Sequence, residues 1–520
     1  MNRYLLAIDA GTGSIRSVIF DLEGNQISSG QQEWTHKEDP RYPGSMDFDI
    51  KINYEIMLDC ITSSISNADI SPESIIAISS ASMREGIVLY DSEATEIWAC
   101  ANVDSRSSAE VTELAKISEN FENEIYQKSG QTFSLGAIAR ILWVKNNLPD
   151  VYSKVACVTM LNDWINRKLT GILAVDPSNG CTTGMFDVNQ RNWDADIALK
   201  CGIKPGIFPK VYESGTVLGN ITEEVTEQTG LSTQCIVVTG GGDAQIGCVG
   251  VGAVKPGQAA LFGGSFWQLE FNTDRAIIDP EGRVRVNCHS VPGIWQHEMI
   301  AFFPGLVMRW FRDAFCQLEK LVEKETDIDA YALLDKQAEK VPVGSYGLLS
   351  SFSCIQNYSS WKHGAPCFTN FSLDPEKFNK GTFFRSLLEN AAMVTFGHLQ
   401  ILNKLNNIEI KDIVFASGAS KSRVWCQIVA DVLGVTLRVP KIKEAAALGT
   451  AFCAGVGAGI YKNIGDAVDR YVSIEKTYFP NMENHEKYQK IFVTWKKINM
   501  NQLENSDNGL LNHMWKAPGL

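Results

Sequence analysis

Two strand–turn–strand units, half a chain apart, constrain this sequence more than any other feature. The first runs through Tyr4–Asp9, a glycine turn at Ala10–Ser14, and Ile15–Asp21. The second runs through Gln258–Phe262, Gly263-Gly264, and Ser265–Phe271. Each reads as an apolar strand, a turn eased by glycine, and a returning strand. In a chain of 520 residues that spacing predicts two related halves, each with its own sheet. Two unrelated α/β domains that each hold a glycine turn are the alternative. Lys255-Pro256-Gly257 marks the boundary, so the expected lobes are 1–252 and 253–520.

The rest of the pattern is α/β. Helices are expected at Asn53–Ala68, Ser107–Ser118 and Leu135–Asn146, and strands at Ile75–Ser80, Gly86–Tyr90 and Cys235–Thr239. The second half adds helices at Phe303–Leu321, Lys380–Leu405 and Lys421–Leu433, a strand at Asp412–Phe415, and a polar tail over about 465–520. Ala445–Tyr461 is apolar but falls short of the roughly 20 residues that span a bilayer, so it reads as a buried helix.

Charge and cysteine usage narrow the function. With 60 acidic and 47 basic side chains the net charge is −13, which excludes a broad basic surface for nucleic acid but not a local pocket for a small polyanion. The 13 cysteines form no C-x-x-C pair, and reduced thiols are the expectation. The first residues hold too short an apolar run for a secretion signal, so a cytoplasmic, non-membrane protein is expected. Gly250-x-Gly252 runs into Pro256, and Gly455-x-Gly457-x-Gly459 follows a helix, so neither fits a dinucleotide fingerprint.

Four segments can carry chemistry. In Asp9–Arg16 the glycines Gly11 and Gly13 let successive N–H groups converge into an anion nest. Thr12 and Ser14 add hydroxyls, and Arg16 adds a forked cation. Asp9, at the strand end, can hold magnesium through its water shell. An ordinary hairpin turn is the alternative. Asp243, after Gly240-Gly241-Gly242, suits a general base or a helix cap. Arg84-Glu85 can grip a polyol, one as donor and one as acceptor, or form a surface ion pair. The small residues Ser417-Gly418-Ala419 can admit a flat ring against the backbone, or simply turn a strand into a helix.

The order of these segments resembles the FGGY carbohydrate kinases over essentially the whole chain. Supporting pieces are Asn162-Asp163-Trp164, Ser178-Asn179, Trp310-x-Arg312-Asp313 and Glu444–Gly449. The resemblance implies an α/β fold of two actin-like (ribonuclease H-like) ATPase lobes with a cleft between them. It also implies phosphoryl transfer from ATP, with Mg2+, to a hydroxyl of a small substrate. Asp243 would be the general base, with Arg16 offsetting developing charge and Asp9 near the metal. Gly11, Thr12, Gly13 and Ser14 would meet phosphate, as would Gly263, Gly264 and Ser265 of the second hairpin. Gly305, Gly418 and Ala419 would lie on the nucleotide side, and Arg84, Glu85 and Asn102 on the acceptor side.

The stretches from Asp9, Pro43, Ser82, Trp98, Phe262 and Met308 carry a closer likeness to one branch of the family. That likeness implies a short hydroxylated dione as acceptor, phosphorylated at its terminal hydroxyl. Another ketose such as a pentulose, or an actin-like ATPase module without an acceptor, are the alternatives. Regulation by a phosphotransfer-system protein, known among relatives, is left open, as is the oligomeric state. Four departures from the family pattern stand out. The second hairpin reads Gly263-Gly264-Ser265 rather than Gly-Thr, and the adenosine turn has Ser417 where Gly is usual. Asn102 stands where the glycerol and xylulose kinases carry an aromatic pocket wall. Arg140 stands where Lys is expected before L-x-W.

Overall fold

The computed structural model describes residues 3–442 and 444–520. Two large sheets organise the protein. The first comprises β1 (Tyr4–Ala10), β2 (Ser14–Phe20), β3 (Gln26–Glu33), β4 (Ile75–Ser82), β5 (Val217–Asn220) and β6 (Ile236–Gly242), in the order β5-β6-β4-β1-β2-β3. The second comprises β7 (Ala259–Gly263), β8 (Trp267–Thr273), β9 (Arg285–Cys288), β10 (Trp295–Ala301), β11 (Asp412–Ala416), β12 (Thr436–Pro440) and β13 (Ile474–Tyr478), in the order β9-β10-β8-β7-β11-β12-β13.

The two sheets share one topology. β1, β2 and β3 form an antiparallel meander, β4 and β6 add in parallel beside β1, and β5 closes the edge antiparallel. In the second sheet β7, β8 and β10 form the meander, β11 and β12 add in parallel, and β13 closes the edge antiparallel. β9 is an extra strand beside β10. The repeat read from the two glycine turns is therefore a repeat of architecture. The inner strands are apolar on both faces, as sheets covered on both sides require. Leu5, Leu6, Ala7 and Ile8 of β1 are all essentially inaccessible.

The helices that matter here are α1 (Ile50–Ala68), α2 (Ala137–Asn147), α3 (Asp243–Val251), α4 (Pro304–Phe315), α5 (Lys380–Asn406), α6 (Arg423–Leu433), α7 (Ala445–Gly457) and α8 (Met482–Asp507). Two of them ignore the sequence boundary. α7 follows the second sheet in the chain, yet Ala447, Leu448, Ala451 and Phe452 pack with Leu5, Ala7 and Ala77 of the first. α3 ends the first half, yet its Cys248 and Val251 pack with Ala260, Phe262 and Ala416 of the second. The two helices cross at very short range. A side chain at Gly250 would come within 1.8 Å of the Ala445 carbonyl oxygen, and one at Gly449 within 2.2 Å of the Ile246 carbonyl oxygen. A split at 252/253 thus separates the sheets but not these helices.

Two sequence expectations change. The polar stretch from about 465 is not a tail. It supplies edge strand β13 and the 26-residue helix α8, whose Tyr488, Phe492 and Trp495 join the core of the second lobe. The helix expected over Phe303–Leu321 breaks at Cys316, where the backbone leaves helical geometry and the thiol is buried, and a separate helix runs through Gln317–Thr326. Among the described residues no helix is long and apolar enough to cross a membrane. All 13 cysteines are free.

Candidate active site between the two sheets

In parallel sheets, functional groups gather where the strands end at their carboxyl termini. Strand register puts three candidate segments at one such edge. Asp9 pairs with Ala81, Ala10 with Ser82, and Gly242 with Ser82, so Asp9, Arg84-Glu85 and Asp243 leave adjacent strands side by side. The second sheet has a matching edge. Phe262 pairs with Ala416, which sets Gly263-Gly264 beside Ser417-Gly418-Ala419. Ion pairs join the two edges: Arg84 with Glu298 of β10, Glu85 with Arg285 of β9, and Arg16 with Glu444 ahead of α7.

Asp243 is the first residue of α3, and Gly242 rather than Asp243 occupies the cap position. Its Oδ1 accepts from the Ala244 N–H at 2.8 Å and lies 3.5 Å from Arg84 Nε. Its Oδ2 has no partner among the described residues, and the side chain is 42% exposed. Loss of hydration on the protein side raises its pKa above the usual carboxylate range. Arg84 pulls the other way, and Glu85 adds to the rise. A carboxylate with one oxygen held and one open is arranged to take a proton. The glycine turn before it rests on buried polar groups. Ser178 Oγ accepts from the Gly242 N–H at 2.9 Å, and Asp176 Oδ1 holds the Ser178 N–H at 2.8 Å.

The first hairpin is tied from behind. Trp34 Nε1 donates to the Gly11 carbonyl at 2.9 Å, and His36 Nε2 lies 2.7 Å from the Thr12 carbonyl. With these oxygens held, the N–H groups of Gly11, Thr12 and Gly13 have no partner among the described residues. Gly13 is exposed and Ser14 half-buried. Arg16 Nε is 3.6 Å from Asp9. Asp9 is pushed up to about 6 by burial, which outweighs Arg16, with Asp243 and Glu444 adding to the rise. A magnesium ion suits this setting. Hard carboxylate oxygen and uncompensated negative charge are what it binds, and it normally keeps water and substrate phosphates as its other ligands. Among the described residues no cluster of three or more His, Cys, Asp or Glu side chains could hold a metal ion by itself.

Asn102 sits beside this hairpin. Its Nδ2 donates to Thr12 Oγ1 at 3.0 Å, so the position helps to fix the hairpin. Arg140 on α2 ties the Asn102 loop to the Arg84-Glu85 turn. Its guanidinium donates to the carbonyls of Glu85 at 2.5 Å, Asn102 at 2.7 Å and Asp104 at 3.0 Å.

The second hairpin is held by shape. A side chain at Gly305, on the first turn of α4, would come within 2.2 Å of the Gly264 carbonyl oxygen, and one at Gly263 within 2.6 Å of the Ala419 methyl. Ser265 is exposed. Gly418 and Ala419 open a short 3-10 turn after β11. Ser417, just before it, has φ 74° and ψ −167°, a region natural to glycine.

Sequence reasoning missed Arg285 and Glu298. Both are almost inaccessible, in the mixed strands Arg-Val-Asn-Cys and Trp-Gln-His-Glu-Met-Ile-Ala, where no local pattern marked the charges as buried.

Solved structures share this architecture. A xylulose kinase from Rhodospirillum rubrum superposes with a TM-score of 0.84 at 24% identity, covering 96% of this chain and 99% of that one. A glycerol kinase from Plasmodium falciparum, with ADP, superposes with a TM-score of 0.83 at 20% identity, covering 96% and 98%. The fold is the two-lobed, actin-like ATPase fold. Models of the FGGY family of carbohydrate kinases match their N-terminal domain at residues 4–250 and their C-terminal domain at 272–458. The chain belongs to the FGGY family of carbohydrate kinases. Among curated relatives, proteins described as autoinducer-2 kinase from Escherichia coli and Yersinia enterocolitica are 49% and 48% identical over 99% of this chain and 98% of theirs.

Proposed function

We propose that the protein is a cytoplasmic autoinducer-2 kinase. It uses ATP to phosphorylate the terminal hydroxyl of the linear quorum signal, 4,5-dihydroxypentane-2,3-dione. Near-half identity along nearly the whole of both chains carries the choice of substrate. The arrangement around Asp243 supports the chemistry.

The nucleotide lies between the lobes, its adenosine by Gly418, Ala419 and Gly305, its phosphates by Gly11–Ser14 and Gly263–Ser265. The acceptor lies beside Arg84 and Glu85. Oδ2 of Asp243 accepts the hydroxyl proton as the oxygen attacks phosphorus in line. Arg16 moves from its carboxylate partners to the phosphoryl oxygens and offsets their charge. Asp9 would hold magnesium through water, and the ion would neutralise phosphate charge.

Two measurements test this. Mass spectrometry of products from a mixture of the dione, pentuloses and glycerol is expected to show the phosphorylated dione. Preferred phosphorylation of a pentulose overturns the substrate. Asp243→Asn is expected to lower kcat about 100- to 10,000-fold with folding and ATP binding kept. Near-normal turnover removes Asp243 as base.

A further inference from the structure

The doublet Arg84-Glu85 comes from the first lobe, where Arg84 Nε lies 3.5 Å from Asp243, but its closest side-chain partners come from the second. Arg84 Nη1 donates to Glu298 Oε2 at 2.5 Å. Arg285 Nη1 donates to the other oxygen of Glu298 at 3.2 Å, and Arg285 Nη2 is paired with Glu85. Arg285 Nε donates to Gln131 Oε1 at 2.7 Å, and Gln131 in turn donates to the Val286 carbonyl at 2.8 Å. Glu298 is thus a bridge with one guanidinium on each oxygen, one from each lobe. It is wholly inaccessible. Charges persist at such depth only where their pairing is nearly complete.

Glu270 lies directly across from Glu298 in the β8–β10 register, is equally buried, and has no donor on either oxygen. Two buried neighbours cannot both be carboxylates. Burial and Glu298 raise Glu270 well above the ordinary range, whereas burial at Glu298 is outweighed by Arg84 and Arg285. A neutral Glu270 therefore faces an ionised Glu298 across the strand pair.

The pairing leaves two polar ends over. Arg84 Nη2 and Glu85 Oε2 have no protein partner among the described residues. One is a donor and one an acceptor, the set that a carbonyl beside a hydroxyl requires.

We infer that Glu298, with Arg285, is a positioning residue: from the second lobe it fixes the unpaired ends of Arg84 and Glu85 where the acceptor's carbonyl and hydroxyl meet them. This rests on the reading of Arg84 and Glu85 as acceptor contacts. Acceptor recognition is then built across the cleft, although the contacting residues belong to one lobe.

The test is steady-state kinetics of Glu298→Gln in the full chain, using whichever acceptor of the panel the wild-type protein turns over. Acceptor binding is also measured directly by calorimetry. The acceptor KM and Kd should rise about 10- to 100-fold, the scale of one charged hydrogen bond, while the ATP KM stays within about twofold. Glu270→Gln keeps a neutral group facing Glu298 and should raise the acceptor KM much less. An unchanged acceptor KM, or equal rises in both KM values, overturns the inference. If Glu298→Gln does not fold, Arg285→Lys serves. It keeps the charge and loses the fork that joins Glu298 to Glu85, so the same split is expected and its absence is equally decisive. The identity of the wild-type acceptor is read separately, so a wrong substrate leaves these ratios intact.

Discussion

The two glycine hairpins occupy equivalent places in equivalent sheets, yet they are held in different ways. The first is tied by hydrogen bonds from Trp34, His36 and Asn102 and carries Arg16 and Asp9 at its base. The second closes on itself, the Gly264 N–H donating to the Phe266 carbonyl at 3.1 Å, and is otherwise held by contact, with Gly305 and Ala419 packed against its backbone and no charged group on it. Under the proposed function, two copies of one architecture divide the work. The first handles charge, which needs fixed dipoles and ions. The second handles shape, which needs small residues and close approach. Substitutions should therefore fail differently on the two sides.

Of the hairpin substitutions, the largest effect is expected at Arg16. Arg16→Ala removes the only guanidinium on either hairpin and should lower kcat about 100-fold or more, with a modest change in ATP KM. Equal losses in kcat and in ATP binding would place Arg16 in ground-state binding and blur the contrast.

Asp9 offers a test without turnover. Its carboxyl has a pKa of about 6 in the folded protein against about 4 when unfolded. The folded protein thus binds this proton more tightly. Stability tied to it is present below about pH 4 and is lost as pH rises through 6. Two units correspond to about 3 kcal/mol. Asp9→Asn, melted without nucleotide or metal, should be more stable than wild type by up to that amount at pH 7.5 and by nearly nothing at pH 4. A variant less stable at pH 7.5 refutes the strain. No such gain is expected from any substitution in the second hairpin.

Gly305→Ala probes the other side. The added methyl meets the backbone oxygen of Gly264, which cannot rotate away as a side chain could. The ATP KM should rise about tenfold while the acceptor KM stays constant. A rise in the acceptor KM instead would show that the second hairpin does not act on the nucleotide alone.

What was legible in the sequence follows the same divide. The repeated sheets could be read because a strand, a glycine turn and a returning strand are local signals. Asp9, Arg84 and Asp243 could be found because each lies at or just past a strand end. The exchange of α3 and α7 could not, since it depends on contacts between residues far apart in the chain, such as Leu5 with Phe452. The role of Asn102 was hidden for the same reason. Its partner Thr12 lies 90 residues earlier in the chain, so no local pattern links the two. In α8 the signal was present but masked. His485, Tyr488, Phe492, Trp495 and Asn499 form a buried stripe at alternating spacings of three and four, inside a segment polar enough to read as a tail.

The smallest effect is expected at Ser417, the residue before the adenosine turn. Its φ of 74° with ψ of −167° costs a residue with a Cβ roughly 1–3 kcal/mol, and glycine adopts it freely. Glycine also gives the unfolded chain more freedom, which returns roughly 0.5–1 kcal/mol of that gain. Ser417→Gly should therefore raise stability by about 1 kcal/mol, seen as a higher urea midpoint with an unchanged slope. The ATP KM should stay within about twofold, because the turn keeps its shape. If Ser417→Gly weakens ATP binding, the strained serine contributes a contact of its own, and the second hairpin side is not held by shape alone.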